Sequence, residues 1–202
     1  KVYIAPGNHD FAAAGNLYSE ERAHCFDMML SIPLQQGGTF AAFNSPVVNV
    51  VKDASGATML IALDTNLETP LLFTGARGKV GDEQLTLLGR VLSDASSADC
   101  AKLLFFHHHP FLHSQPGMFL VDADDLFNTI YGRVDVLLFG HKHASGQWSN
   151  VSGIKHILAS DNSPEKDWAR EISIVGKQIT ISDVSLKPGG KRKTKANKPT
   201  TS

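Results

Sequence analysis

Residues 101–110 read AKLLFFHHHP, and this stretch decides the fold. AKLLFF (101–106) is an unbroken apolar run of the kind buried on both faces, as the strands of parallel sheets are. Three imidazoles and a proline follow at once. VDVLLF (134–139) repeats the pattern: a second run of this type stops at Gly140 and is followed by His141-Lys142-His143. Ligands of open α/β sheets collect at the carboxyl ends of strands, where loops carry polar groups and the sheet holds them still.

The rest of the chain reads outward from these two strands. Residues 122–131 between them form a helix ending at Gly132. Upstream, residues 81–95 place Leu85, Leu88 and Leu92 on one helical face, with Asp82 and Glu83 in the first turn. PVVNVV (46–51) and ATMLIAL (57–63) flank a DASG turn and pair as a hairpin. Residues 19–30 form a helix capped by Ser19 and ended by Pro33. KVYIA (1–5) is expected to be a short strand that stops at Pro6-Gly7. IKHILA (154–159), EISIV (171–175) and QITISDV (178–184) close the chain as three more strands. Alternating elements followed by bunched strands give an α/β fold with a mixed sheet or two sheets. The body, residues 1–186, is one unit. Residues 187–202 have no apolar pattern and read as a disordered basic tail.

Composition excludes several classes. Of the 202 residues, 42% are hydrophobic and 19% charged, ordinary for a globular chain, and no apolar run approaches the ~18 residues of a membrane span. The net charge of −1 hides an asymmetry: six of the 19 basic residues lie in the tail, which leaves 13 basic against 20 acidic groups in the body. An acidic body suits bound cations and gives no clear nucleic-acid surface. Cys25 and Cys100 have no CxxC partner; two unpaired, buried thiols of a reducing, cytoplasmic compartment are read ahead of the alternative, a single disulfide between them.

Three segments place metal-type side chains directly after a strand: PGNHD (6–10), FFHHHPF (105–111) and FGHKH (139–143). Seven of the nine histidines fall in or just after them: His9, His107, His108, His109, His113, His141 and His143. His24, on a helix, and His156, inside a strand, are structural. A single histidine at a strand end is more often hydrogen-bonded than ligating; three such segments together point to a metal site. In an extended segment His141 and His143 share a face and can serve one ion or two adjacent ones. Asn8 adds a neutral carbonyl oxygen. Imidazole and oxygen donors together suit iron, manganese, zinc or cobalt.

GNHD, a hydrophobic strand running into HHHP, and GHKH, in that order, resemble the calcineurin-like metallophosphoesterase superfamily. GKVGDEQLTLLGRVL (78–92) resembles the corresponding helix of its bacterial cyclic-nucleotide-phosphodiesterase-like branch, and LIALDTN (60–66) a strand-end segment between its third and fourth motifs. The resemblance implies two mixed β-sheets packed as a sandwich and flanked by helices (the αββα fold), here truncated at the N-terminus. It implies two divalent or trivalent metal ions, with Asn8, His107 and His141 as ligands of one and His143 of the other. His9 would protonate the leaving oxygen, oriented by Asp10. The HHHP run leaves the register open: counting from the strand end selects His107, and counting back two from Pro110 selects His108. The remaining histidines, His109 included, then lie behind the ligands or on the substrate side.

The reaction implied is hydrolysis of a small-molecule or nucleotide phosphodiester or phosphomonoester by a hydroxide held between two metals. The family's first two motifs, DxH and GDxxD, are absent from the 202 residues, so this chain is expected to carry about half of the dinuclear site and to be nearly inactive alone. A segment upstream of Lys1 or another chain would supply the rest. A non-catalytic scaffold of the same fold is the alternative, although such subunits typically lose the histidines kept here. GxSxG and GxxxxGK[ST] are also absent, and nothing supports acyl-enzyme or nucleotide-loop chemistry.

Overall fold

The hairpin forms as the sequence predicts. In a computed structural model of the chain, which describes residues 1–11, 18–41, 45–66, 76–111, 117–160, 167–187 and 192–194, Val47–Asp53 (β1) pairs antiparallel with Gly56–Ala62 (β2). The two apolar runs become Ala101–Phe105 (β3) and Val136–Phe139 (β4). Gly146–Val151 (β5) and Ile154–Ala159 (β6) complete a six-stranded sheet of order β1-β2-β3-β4-β6-β5. Its four inner strands run parallel, and β1 and β5 are antiparallel edges. Parallel inner strands bring β2, β3 and β4 to an end on the same side, and this is what assembles the site.

Trp168–Val175 (β7) and Gln178–Ser185 (β8) form a second sheet with Arg192–Thr194 (β9). Among the described residues the second sheet is antiparallel, where the resemblance implied a mixed one. β9 falls inside the segment read as a disordered tail, because three of its residues add to the free edge of β8.

Each inner strand is buried on both faces. Toward one face, Ile61, Leu104, Leu137 and Ile157 pack with Leu85, Leu88 and Leu92 of the helix Asp82–Ser93 (α3) and with Leu126 and Ile130 of the helix Ala123–Ile130 (α4). Toward the other, Leu103, Val136 and Leu158 meet Ile172, Ile179 and Ile181 of the second sheet. Neighbouring residues such as Leu103 and Leu104 thus serve opposite layers, which accounts for an apolar run without alternation. No helix among the described residues is long and apolar enough to cross a membrane.

The N-terminal part departs most from the sequence reading. KVYIA forms no strand: among the described residues no strand pairs with it, and the Ile4 amide donates instead to the Gln36 side chain at 2.7 Å. Asn8–Phe11 makes one helical turn (α1), then Glu20–Phe26 (α2) starts at Ser19, whose hydroxyl accepts from the Arg22 amide at 3.3 Å. α2 continues as a single π-type turn, Asp27–Ser31. The Asp27 carboxylate at this turn is buried and accepts from the amides of Phe40 and Ala41, fixing the next segment onto the helix. Cys25 on α2 is exposed and Cys100 buried; both are free thiols, so the reading of two buried ones holds only for Cys100.

Candidate metal centre

Asn8, His107 and His141 meet at the carboxyl ends of the parallel strands. The sheet pattern runs on past β3 and β4, with the Phe106 amide donating to the Leu138 carbonyl at 3.1 Å and the Gly140 amide to that of His107 at 3.0 Å. His107 and His141 are therefore held side by side. Asn8 sits in the α1 turn and is 2% exposed. His107 Nε2 lies 2.8 Å from Asn8 Oδ1 and 3.0 Å from His141 Nδ1.

That nitrogen carries at most one proton, so the two contacts cannot both be complete hydrogen bonds. Ligands held about 2.0–2.2 Å from one transition-metal ion are themselves about 3 Å apart, the spacing found here. His141 Nε2 is buried and pairs with no polar atom at hydrogen-bond geometry among the described residues. The three donor residues thus fit a cation: their atoms converge with more lone pairs than protons to share.

Burial is the main reason these rings resist protonation. It lowers the His107 pKa to about 3, helped by charge on His141, His9 and His143, and lowers that of His141 as well. Neutral imidazole is the form that binds metal.

His108 joins the same cluster. Donor atoms of His107, His108 and His141 lie within 4.8 Å of one another. The His108 ring is fully buried, its centroid 5.0 Å from that of His107 and 4.7 Å from that of His141. Its Nδ1 contacts Thr65 Oγ1 at 2.7 Å, while its Nε2 is buried without a partner. Both register readings of HHHP therefore place a histidine in the cluster: His107 against Asn8, and His108 behind it.

The other site candidates are placed differently. His9 and His143 are exposed beside the cluster, near enough for their charge to depress the His107 pKa. The Asp10 carboxylate accepts from the Gly7 amide at 2.7 Å and closes the turn that carries Asn8. His109 turns into an aromatic nest, 4.6 Å from the Phe139 ring and 6.1 Å from that of Trp148, and burial lowers its pKa to about 4. His113 lies outside the described residues. His141 and His143 have φ of 72° and 52°, a left-handed backbone uncommon for residues other than glycine.

Two glycines make the close packing possible. A Cβ on Gly7 would stand 2.9 Å from His107 Nδ1, and one on Gly78 would stand 2.3 Å from His108 Cγ. Neither position can carry a side chain without displacing an imidazole.

The end of β2 braces the cluster through polar residues whose partners the sequence does not reveal. The Asp64 carboxylate accepts from the Asn66 backbone and side-chain amides at 2.8 and 2.7 Å. Asn66 Nδ2 also reaches the Pro6 carbonyl at 3.2 Å. Gln84 of α3 pairs with both backbone groups of Asp64. Burial raises the Asp64 pKa to about 7, against the lowering effect of its bonds to Asn66. The polar run DTN, closing an apolar strand at the same sheet edge as the histidines, was the available signal.

No protein-family model matches the chain, and no curated protein matches it in sequence. Among solved structures, a dimetal phosphatase from Danio rerio is similar, with a TM-score of 0.54 over 89% of this chain at 14% identity. The match covers 64% of that protein, so the chain spans less than two thirds of its length. At this identity the likeness shows the fold, which is that of a dimetal phosphatase.

Proposed function

We propose that the chain is part of a calcineurin-like, metal-dependent phosphoesterase and carries about half of a dinuclear site. The observation that carries the reading is the convergence of His107 Nε2, Asn8 Oδ1 and His141 Nδ1 at 2.8 and 3.0 Å. These three residues would hold one cation, and His143 belongs to its neighbour. Cations held there supply Lewis-acid charge to phosphoryl oxygens and make a bound water acidic enough to act as a nucleophile near neutral pH.

The chain's own residues do the remaining work. His9, exposed at the rim, meets the departing oxygen with a proton. Asp10 fixes the turn that holds His9 and Asn8 through its bond to the Gly7 amide. The half-buried His107 and the buried His141 stay neutral, so their lone pairs remain available to a cation. The acidic donors of DxH and GDxxD are absent from the 202 residues and come from a further segment or another chain.

The substrate class is a small-molecule or nucleotide phosphoester, a phosphodiester by preference. The Gly78–Leu92 resemblance supports placing the chain in the cyclic-nucleotide-phosphodiesterase-like branch.

Metal binding tests the proposal first. The chain is titrated with cobalt(II), zinc(II) or manganese(II) in a chelator-buffered assay. Saturable uptake that is lost in His107→Ala is expected, and no uptake by the unaltered chain would overturn the proposal.

A further inference from the structure

We propose that Thr65 and Asn66, at the end of β2, are positioning residues of the metal centre, each fixing one of the two chain segments that meet there. The inference rests on the metal-site reading above and adds to it the means by which donors far apart in sequence keep a common register.

Thr65 governs the β3 side. Its hydroxyl oxygen is 2.7 Å from His108 Nδ1 and 3.4 Å from the His108 amide nitrogen. The amide donates to this oxygen, and the hydroxyl pairs with Nδ1 as donor or acceptor according to the ring's tautomer. That contact anchors the ring at Nδ1 and fixes its orientation beside His107 and His141. With Gly78 closing the other side at a distance no side chain would tolerate, the ring has no room to swing. His108 is thereby a fixed wedge behind the two ligand rings, in ring contact with both.

Asn66 governs the N-terminal side. Its side-chain amide donates to the Pro6 carbonyl, two residues before Asn8. The Asp64 carboxylate orients that amide by accepting from it and from the Asn66 backbone. Gln84 and the Lys79 amide, which donates to the Thr65 carbonyl at 2.9 Å, tie the segment to α3 and the strand-like stretch before it. Thr65 and Asn66 are both fully buried, so no solvent competes for these bonds.

One rigid tripeptide thus reaches both halves of the site. A loop held at one end only would let Asn8 drift relative to His107. Outer-sphere partners of this kind are worth about 10- to 100-fold in metal affinity.

The test uses the whole chain and four variants: Thr65→Val, Thr65→Ser, Asn66→Ala and Asn66→Asp. Cobalt(II) affinity and visible absorption are read beside the thermal midpoint of the metal-free protein. Thr65→Val and Asn66→Ala are expected to weaken cobalt binding about 10- to 100-fold and to alter the absorption bands, while Thr65→Ser stays within about threefold of the unaltered chain. Asn66→Asp loses the donor to Pro6 and is expected to behave as Asn66→Ala does. Unchanged affinity and spectra in Thr65→Val and Asn66→Ala, with only the thermal midpoint lowered, would overturn the proposal and reduce both residues to fold support. If a variant fails to fold, the serine and aspartate replacements still decide the matter. Failure of the unaltered chain to bind cobalt sinks the metal reading itself, an outcome distinct from either result in the variants.

Discussion

Asn8 and His107 stand 99 positions apart in the chain and 2.8 Å apart in the fold, Oδ1 to Nε2. A carbonyl oxygen against an imidazole nitrogen that also faces a second imidazole is a weak arrangement of hydrogen bonds and a good arrangement of ligands. Replacing His107 by alanine removes the atom common to both contacts. Metal affinity is expected to fall by more than about 100-fold, beyond the loss typical of outer-sphere partners. Chelator competition measures it.

Hydrolytic activity is expected to be near background in the 202-residue chain, even when loaded with metal, because it has no DxH or GDxxD carboxylate. Adding those donors in a longer chain should raise turnover of bis-p-nitrophenyl phosphate by orders of magnitude. Robust turnover by the 202 residues alone would contradict the half-site reading.

Asp64 gives stability a pH dependence of defined sign. Its pKa rises from an ordinary 3.8 to about 7 in the fold, chiefly through burial. Between those values the folded chain holds a proton that the unfolded chain has released, so stability falls as pH rises through this window and levels off above it. Asp64→Asn keeps an acceptor for Asn66 and cannot ionise. Urea unfolding of the metal-free variant at pH steps between the two values should show this part of the slope gone.

His109 acts in the opposite direction. Burial lowers its pKa from 6.5 to about 4. Unfolded chains take up the proton first as pH falls, so stability is lost below about 6.5 and the loss levels off near 4. His109→Phe should remove that part of the acid sensitivity. Its ring replaces an imidazole already packed against Phe139 and Phe111, and the same unfolding series reads the change.

Gly78 and Gly89 form a contrasting pair. A Cβ at Gly78 meets the His108 ring at 2.3 Å, whereas one at Gly89 on α3 meets only the Thr129 methyl at 3.8 Å. Gly78→Ala is expected to cost about 1–3 kcal/mol and to displace His108. Gly89→Ala should stabilise the helix by about 0.5–1 kcal/mol. Denaturant midpoints separate the two.

What the sequence made legible followed from burial. β3 and β4 could be read because they are covered on both faces, α3 because its leucines recur at helical spacing. β5 was missed: Gly146–Val151 is a half-exposed edge strand with the polar run Gln147 to Asn150 broken only by Trp148, so it carries no apolar signature. KVYIA carries the signature and forms no strand, since strand formation needs a neighbour that local sequence does not encode. At the site, the metal-type side chains were visible by chemistry alone. Thr65 and Asn66 were not, because a threonine and an asparagine at a strand end look like any turn until their partners, His108 and Pro6, are known.

The run His107-His108-His109 has a further consequence in the unfolded chain. Three adjacent imidazoles bind transition metals without any fold, and metal held there lessens the stabilisation that native binding provides. In the native protein these neighbours part company, with His107 and His108 in the cluster and His109 among aromatic rings. An ion captured early by all three would have to let go of His109 before that ring could pack against Phe139. Refolding the chain free of metal and loading it afterwards should therefore give a higher yield than refolding it with metal present.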